Sequence, residues 1–543
     1  MKKMLFLSRK LGILQRILVI AVLPLIIITL STNISALSVK DTFHNISLST
    51  VEILHNNGYD VEVHNAITED GYVLELHRIP RSKSGQEPTK NYPVFLHHGI
   101  FGSSADWVLA GANMSLPMQL ADDGHDVWLA NCRGNTYSKN HVSLTVKEKY
   151  FWNFSLHEIG KYDLPAAIDY ILSESNTSQL HYIGYSMGTT VFFIMASERP
   201  EYHIKIRSQI SLAPVAYMSN SRSIINYIAP YGKYVNAMLQ TISNGRLMPH
   251  STIQSYLAFT MCREKLMRNL ICAKCIIFSI CGSDPYDFDS DLIPIISGHY
   301  PAGTSSKLAA HFAQFMMNDN FSQYDYGPVM NLHYYNSTIP PMYNLESNQV
   351  PTTLFYGDND LIADVKDVAK LKSQLPKLMD FVLVDNPYCN HLDFMWSINV
   401  NSQINDPIKA ILKETDVMAW KYTGPRPSTT IQETNNDGLS NAVDRMPNSI
   451  NNMETLPDLD FFEENLDTII AKTMPRSVEE NDVTEFQRQR EVLNIILRNL
   501  MNFIKSIDMR KKSLQDGFTN ELSEWNDHVA TRLARIQTFL LGV

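Results

Sequence analysis

The sequence predicts an α/β fold, and three observations carry that prediction. The first is Gln179 to Thr190, QLHYIGYSMGTT. A short apolar run there (Leu180, Tyr182, Ile183) leads into Gly184-Tyr185-Ser186-Met187-Gly188 and then into the apolar stretch Thr190 to Ala196. That reads as strand, sharp turn and buried helix. A G-x-S-x-G in this setting is the pattern of a nucleophile elbow, whose strained serine needs neighbours without a bulky Cβ at −2 and +2 so that strand and helix can approach. The second observation is the repeat of strand-like runs on both sides of the serine, with helix-spaced stretches between them. The third is an acid just past one downstream strand and a histidine just past the next.

Taken in order, the elements begin with Gly58 to Pro80. Val61, Val63, Val73, Leu74 and Leu76 flank the turn signal Glu69-Asp70-Gly71 and predict a β-hairpin. Pro93 to His97 is a strand ending in His98-Gly99-Ile100-Phe101-Gly102. A Gly-bearing loop directly after a buried strand, upstream of the serine, is where an α/β-hydrolase places one oxyanion donor, and the N–H of Ile100 is the candidate. The second candidate is the N–H of Met187, at the start of the nucleophile helix. His97 and His98 read as buried imidazoles at a strand end. Asp126 to Ala130 is the next strand, followed by the loop Asn131 to Asn135. Leu156 to Leu172 has helical spacing, and Ser208 to Ala213 is a strand closed by Pro214.

From Tyr217 to about Asn344 the apolar residues become helix-spaced, and Met, Tyr and His are frequent. A long insertion between two core strands predicts a cap over the site, much of whose apolar content forms its own core. Thr352 to Tyr356 resumes the strand pattern and runs into Gly357-Asp358-Asn359-Asp360. Phe381 to Val384 is the last strand, followed by Cys389-Asn390-His391-Leu392-Asp393, and Ile404 to Leu412 predicts a closing helix. The order Ser…Asp…His is that of the α/β-hydrolase triad. The expected roles are Ser186 as nucleophile, His391 as base and Asp360 as its orienting acid. Asp358 and Asp364 compete with Asp360 on loop position, while Asp393 is too near His391 in sequence to be the natural partner.

Composition bounds the rest. At 543 residues the chain is long enough for two to four units. A net charge of −10, with no dominant basic block, argues against nucleic acid as partner. Lys2, Lys3, Arg9, Lys10 and Arg16 precede the apolar run Ile17 to Leu30, and Ile34-Ser35-Ala36 follows. This predicts a secretory signal peptide cleaved near Ala36, with an uncleaved signal anchor as the alternative. Beyond that segment, six N-x-S/T sequons, at Asn45, Asn113, Asn153, Asn176, Asn320 and Asn336, fit a glycosylated protein of the secretory route. Of the six cysteines (Cys132, Cys262, Cys272, Cys275, Cys281, Cys389), four cluster between Cys262 and Cys281. In an oxidising compartment that cluster predicts a disulfide, with Cys262 and Cys272 the leading pair. Zinc is the sharper alternative, but paired C-x-x-C motifs and nearby His are missing, so no metal is expected.

With these residues in view, the chain resembles the acid lipases, the gastric, lingual and lysosomal lipases. The resemblance is carried by GYDVEVHNAITEDGYVLELHRIP, HHGIFGSSADWV, DVWLANCRGNTYS, GYSMG, HYPAGTSSKLAAHFAQ, YGDNDLIADVKDV and NHLDFMW, across residues 50 to 422. It implies an α/β-hydrolase core with a helical cap or lid. It also implies hydrolysis of triacylglycerols or cholesteryl esters at a lipid–water interface, without a cofactor. It maps the triad onto Ser186, Asp360 and His391 and the oxyanion donors onto Ile100 and Met187. The family usually has leucine and glutamine at those two donor positions; a backbone donor survives the change, a side-chain contribution from residue 187 does not. Cys275 is a further departure from the family's cap cysteines.

The resemblance stops near Gly424. Pro425 to Asn452 is polar and reads as a linker. Beyond it, Val483, Phe486, Leu493, Leu497, Leu500, Ile504 and Ile507, then Phe518, Leu522, Trp525, Val529, Leu533, Ile536 and Leu540, predict two amphipathic helices broken near Gly517. They would form a hairpin, a coiled coil for self or partner association, or a helix packed on its own domain. The expected organisation is therefore a signal peptide at 1–36, core at 37–216, cap or lid at 217–345, core at 346–424, linker at 425–482 and helical extension at 483–543. The reading is a secreted or lysosomal serine hydrolase of neutral lipid esters. The competing readings are a lipase-fold protein that binds lipid with little catalysis, opposed by the complete triad, and a coiled-coil interaction protein carrying a hydrolase domain, opposed by the signal sequence.

Overall fold

Eleven strands and the helices between them are placed by a computed structural model that describes residues 48–418. The predicted signal peptide, Asn45, the linker and the carboxy-terminal helices lie outside the described residues. The strands in chain order are β1 (Glu62–Ile67), β2 (Tyr72–Ile79), β3 (Val94–His97), β4 (Val127–Leu129), β5 (Asn140–His141), β6 (Leu180–Tyr185), β7 (Ile206–Leu212), β8 (Arg246–Leu247), β9 (Thr304–Ser305), β10 (Thr352–Tyr356) and β11 (Leu378–Leu383). One sheet runs β1-β2-β4-β3-β6-β7-β10-β11, with β5 paired to β2. From β4 to β11 every pairing is parallel, whereas β1, β2 and β5 join antiparallel at one edge.

Burial follows from this order. All residues of β3, β6 and β7 are buried, as expected of parallel strands covered on both faces. The edge strand β1 instead leaves Val63 and Ile67 exposed. The hairpin turns at Gly71, whose φ of 93° suits glycine. The helix after the serine, Met187–Glu198, is buried from Met187 through Ala196, which matches its apolar character all round.

The predicted helix over Leu156 to Leu172 is three pieces: Leu156–Glu158, a wide π turn Ile159–Asp163, and Leu164–Glu174. Pro165 has no N–H to continue the i→i−4 ladder, and the chain widens there. The closing helix is Asp406–Val417, a few residues later than predicted, after a π turn at Asn401–Asn405.

Between β7 and β10 lies the predicted insertion. Its main helices are Gly232–Ile242, Thr252–Arg263, Ile293–His299, Ser306–Met317 and Pro328–Tyr335, and β8 and β9 form a small antiparallel sheet of their own that sequence reading missed. Two-residue strands carry no periodicity to detect. A disulfide joins Cys262 to Cys272 with Cα atoms 6.0 Å apart. Cys132, Cys275, Cys281 and Cys389 are free. The described sequon asparagines, Asn113, Asn153, Asn176, Asn320 and Asn336, are all exposed.

Candidate active site

Ser186 stands where β6 ends and the helix Met187–Glu198 begins, with φ 50° and ψ −113°. Such a backbone costs a non-glycine residue about 1–3 kcal/mol and persists only where its surroundings impose it. Its N–H donates to the Leu212 carbonyl of β7 at 2.9 Å, and the Thr189 hydroxyl donates to its carbonyl at 2.7 Å. The flanking glycines are steric necessities. A Cβ on Gly184 would lie 2.7 Å from the carbonyl carbon of Gly188, and one on Gly188 would lie 2.5 Å from the His97 carbonyl oxygen.

His391 reaches this turn from the loop after β11. Its Nε2 is 2.8 Å from Ser186 Oγ and its Nδ1 is 2.7 Å from Asp360 Oδ2. The loop is held at both peptide groups of the histidine: its N–H donates to the Cys281 carbonyl (3.1 Å), and the His391 carbonyl accepts the Tyr185 hydroxyl (2.9 Å). Asp360 follows β10, and its other oxygen accepts the N–H groups of Ile362 and Ala363 at 2.8 and 2.9 Å. All three side chains are buried.

The competing carboxylates are placed elsewhere. Asp358 is exposed. Asp364 caps the helix Val365–Ser373 through the Lys366 N–H and pairs with Arg222 Nε at 2.8 Å. Asp393 accepts the Asn390 N–H at 2.7 Å, and burial, with Asp284 and Asp287 nearby, pushes its carboxyl up to about 9. Asp360 is thus the acid bonded to the imidazole.

The candidate oxyanion donors come from two segments, the loop after β3 and the start of the helix Met187–Glu198. Met187 opens the helix, where N–H groups lack an intrahelical partner. Gly99, just before Ile100, packs on the Ser186 turn: a Cβ there would lie 3.4 Å from Ser186 Cβ and 3.0 Å from the Tyr185 ring. Among the described residues the Ile100 N–H has no acceptor.

His97 and His98 are buried, and desolvation lowers them to about 4 and about 3, so both are neutral. His98 Nε2 accepts the Cys132 N–H at 3.2 Å. Sequence reading missed Arg133, a fully buried guanidinium that donates to Asp163 at 2.6 Å and to both oxygens of Asp70 at 2.6 and 2.8 Å, over the face of Tyr72. It ties the hairpin turn to the loop after β4, and its partners are too distant in sequence for any local pattern to reveal. It also missed Tyr300, whose hydroxyl donates to the Ile100 carbonyl at 2.8 Å. Among the described residues no group of His, Cys, Asp and Glu is arranged to hold a metal.

A hydroxyl, an imidazole and a carboxylate in this relay can move a proton off the serine and return it to a leaving group. With the parallel sheet beneath them, they define the class, an α/β hydrolase. Residues 50–111 match the partial alpha/beta-hydrolase lipase region and residues 92–245 the alpha/beta hydrolase fold. Lipase 3 of Drosophila melanogaster is 40% identical over 358 residues, 66% of this chain and 91% of that protein. The gastric triacylglycerol lipase of Homo sapiens is 37% identical over 361 residues, 66% of this chain and 89% of that lipase. Lipase member K of Mus musculus is 35% identical over 381 residues, 70% and 94% of the two chains. The chain belongs to this family of α/β-hydrolase lipases, and its enzymatic class is ester hydrolysis.

Proposed function

We propose that the chain hydrolyses carboxylic esters of neutral lipids, triacylglycerol or cholesteryl ester, through an acyl-enzyme on Ser186. The observation that carries this reading is the unbroken relay from Ser186 Oγ to His391 Nε2 at 2.8 Å and from His391 Nδ1 to Asp360 at 2.7 Å. Ser186 Oγ attacks the ester carbonyl carbon while His391 Nε2 takes its proton. The carbonyl oxygen becomes an oxyanion held by the N–H groups of Ile100 and Met187. His391 then gives the proton to the departing alcohol oxygen as the ester C–O bond breaks. Water, deprotonated by the same nitrogen, attacks the acyl group and releases the fatty acid, and Ser186 regains its proton. Asp360 keeps the ring oriented and stabilises its cation.

The insertion at 217–345 acts as a cap over this centre, between core segments 37–216 and 346–424. The protein travels the secretory route to the outside or the lysosome, supported by the exposed sequon asparagines and tested by mass spectrometry before and after glycosidase. The carboxy-terminal helices serve self or partner association; a shortened protein ending near Gly424 should keep its turnover and change its oligomeric state. The deciding experiment is Ser186→Ala assayed on emulsified triacylglycerol and cholesteryl ester. Turnover should fall by several orders of magnitude, on the order of the 10⁶-fold seen for loss of a serine nucleophile, with the thermal transition retained. Turnover near that of the parent enzyme would refute the assignment.

A further inference from the structure

We infer that Tyr300, a residue of the insertion, is a positioning residue for the oxyanion turn: its hydroxyl clamps the Ile100 carbonyl and so fixes the turn that presents the Ile100 N–H. The inference rests on the reading of Ile100 as an oxyanion donor.

Gly99 to Gly102 is a tight turn, closed by the Gly102 N–H donating to the Gly99 carbonyl at 3.2 Å. Its third residue, Phe101, has φ 60°. Positive φ at that position belongs to a type II turn and calls for glycine or asparagine, whereas a type I turn suits most side chains. Left to itself, this turn would gain by rotating the Ile100–Phe101 peptide towards type I.

Two hydrogen bonds from the insertion oppose that rotation. The Tyr300 hydroxyl donates to the Ile100 carbonyl at 2.8 Å, and the Ala302 N–H donates to the Phe101 carbonyl at 2.7 Å. The Tyr300 ring also meets Phe101 edge to face, with centroids 6.3 Å apart and planes at 84°. Burial holds the phenol far above its ordinary range, so it remains a donor throughout the working pH. On the opposite side the turn has no slack, because Gly99 already packs on the Tyr185 ring. The turn that carries this core donor is therefore braced by a hydroxyl from outside the core. An oxyanion donor matters in the transition state more than in the bound substrate, so a loosened turn should lower kcat and spare KM.

Tyr300→Phe removes the hydroxyl and keeps the ring. On a soluble p-nitrophenyl ester it should lower kcat about tenfold, below the roughly 10²–10³-fold for outright loss of one donor. KM should stay within about twofold, and affinity for a trifluoromethyl ketone, which forms a tetrahedral oxyanion on the serine, should fall in parallel. Phe101→Gly lets the turn hold its shape unaided, so in that background the added Tyr300→Phe should cost less than about threefold. A folded Tyr300→Phe with unchanged kcat and inhibitor affinity overturns the inference. Equal losses in both backgrounds also overturn it, since the hydroxyl would then act elsewhere. If Tyr300→Phe folds only together with Phe101→Gly, the bracing role stands; failure to fold in both backgrounds makes the hydroxyl merely structural and overturns it. Ser186→Ala separates the two readings: if that variant is inactive while Tyr300→Phe is unaltered, the positioning role alone fails, whereas activity in Ser186→Ala removes the site itself.

Discussion

Two turns flank the candidate oxyanion site, and both bend at a non-glycine residue with positive φ, Ser186 at 50° and Phe101 at 60°. Each conformation costs about 1–3 kcal/mol, yet the two are held differently. Ser186 is clamped within the core, by the Leu212 carbonyl on the neighbouring strand, by Thr189 three residues on, and by glycines at −2 and +2 that let strand and helix touch. Phe101 is clamped from the insertion, by Tyr300 and Ala302 some two hundred residues downstream. Strain imposed by immediate neighbours leaves a local motif, and strain imposed from a distant segment leaves none.

If the elbow exists to bring Oγ to the imidazole, the largest effect of a conservative change should come from the far end of the relay. Asp360→Asn should lower turnover about 10⁴-fold, as loss of the orienting acid does elsewhere, while Asp358→Asn, at an exposed side chain, should stay within about twofold. Steady-state kinetics on both variants decide it, and a weaker Asp358 variant would mean that the acid is misassigned. The next effect tests the clamp on Ser186 itself. Gly188→Ala would place a Cβ 2.5 Å from the His97 carbonyl oxygen, so helix and strand must part. A displacement of about 1 Å at a reacting group can cost 10²-fold, and turnover of the purified variant should fall at least that far. Parent-like turnover would show that the elbow tolerates a methyl group, and that its glycines are not what holds the serine.

The same contrast explains what the sequence could disclose. The elbow and the acid after β10 were legible because each directly follows a buried strand, and the histidine because it follows the apolar run of β11, an edge strand that still carries strand composition. The parallel core and the hairpin at Gly71 were legible for the same reason. The choice of Asp360 over Asp358 and Asp364 rested on position and resemblance; the reason for it lies in contacts, since Asp364 is spent on a helix cap and Arg222, and Asp358 faces water. The split helix at Leu156–Glu174 was missed because its apolar spacing runs through the π turn unbroken, and only Pro165 marked the place. Arg133 with its two carboxylates, and Tyr300 on the oxyanion turn, have partners chosen by the tertiary fold.

The smallest effect concerns the histidine loop, which the insertion also braces, here through a proton. Asp393 is buried beside His391 with one oxygen on the Asn390 N–H, and the carboxylates facing it are Asp284 and Asp287 of the insertion. Asp284 and Asp287 in turn both accept from Asn386 of the histidine loop, at 2.8 and 3.1 Å. Desolvation first, then these neighbours, raise Asp393 to about 9, against an ordinary value near 3.9 in the unfolded chain. Between those values the folded state binds the extra proton, so stability falls as pH rises. The contribution is fully present below about pH 4 and is lost as pH rises through about 9, at no more than roughly 1.4 kcal/mol per pH unit. Glu158, lowered to about 2, and His97, lowered to about 4, weaken the fold only on acidification. Asp106, raised to about 7, is still losing its contribution just above neutrality, and the buried thiols of Cys132, Cys281 and Cys389, all raised by burial, add a decline as their unfolded counterparts ionise near the top of the range. Over the interval from pH 7 to pH 9 the difference between the parent and Asp393→Asn isolates the share of Asp393. The thermal midpoint of the parent should decline across it, and that of Asp393→Asn, which has no proton to lose, should decline less. Parallel curves would mean that the carboxyl holds no proton there, and that the insertion braces the histidine loop without it.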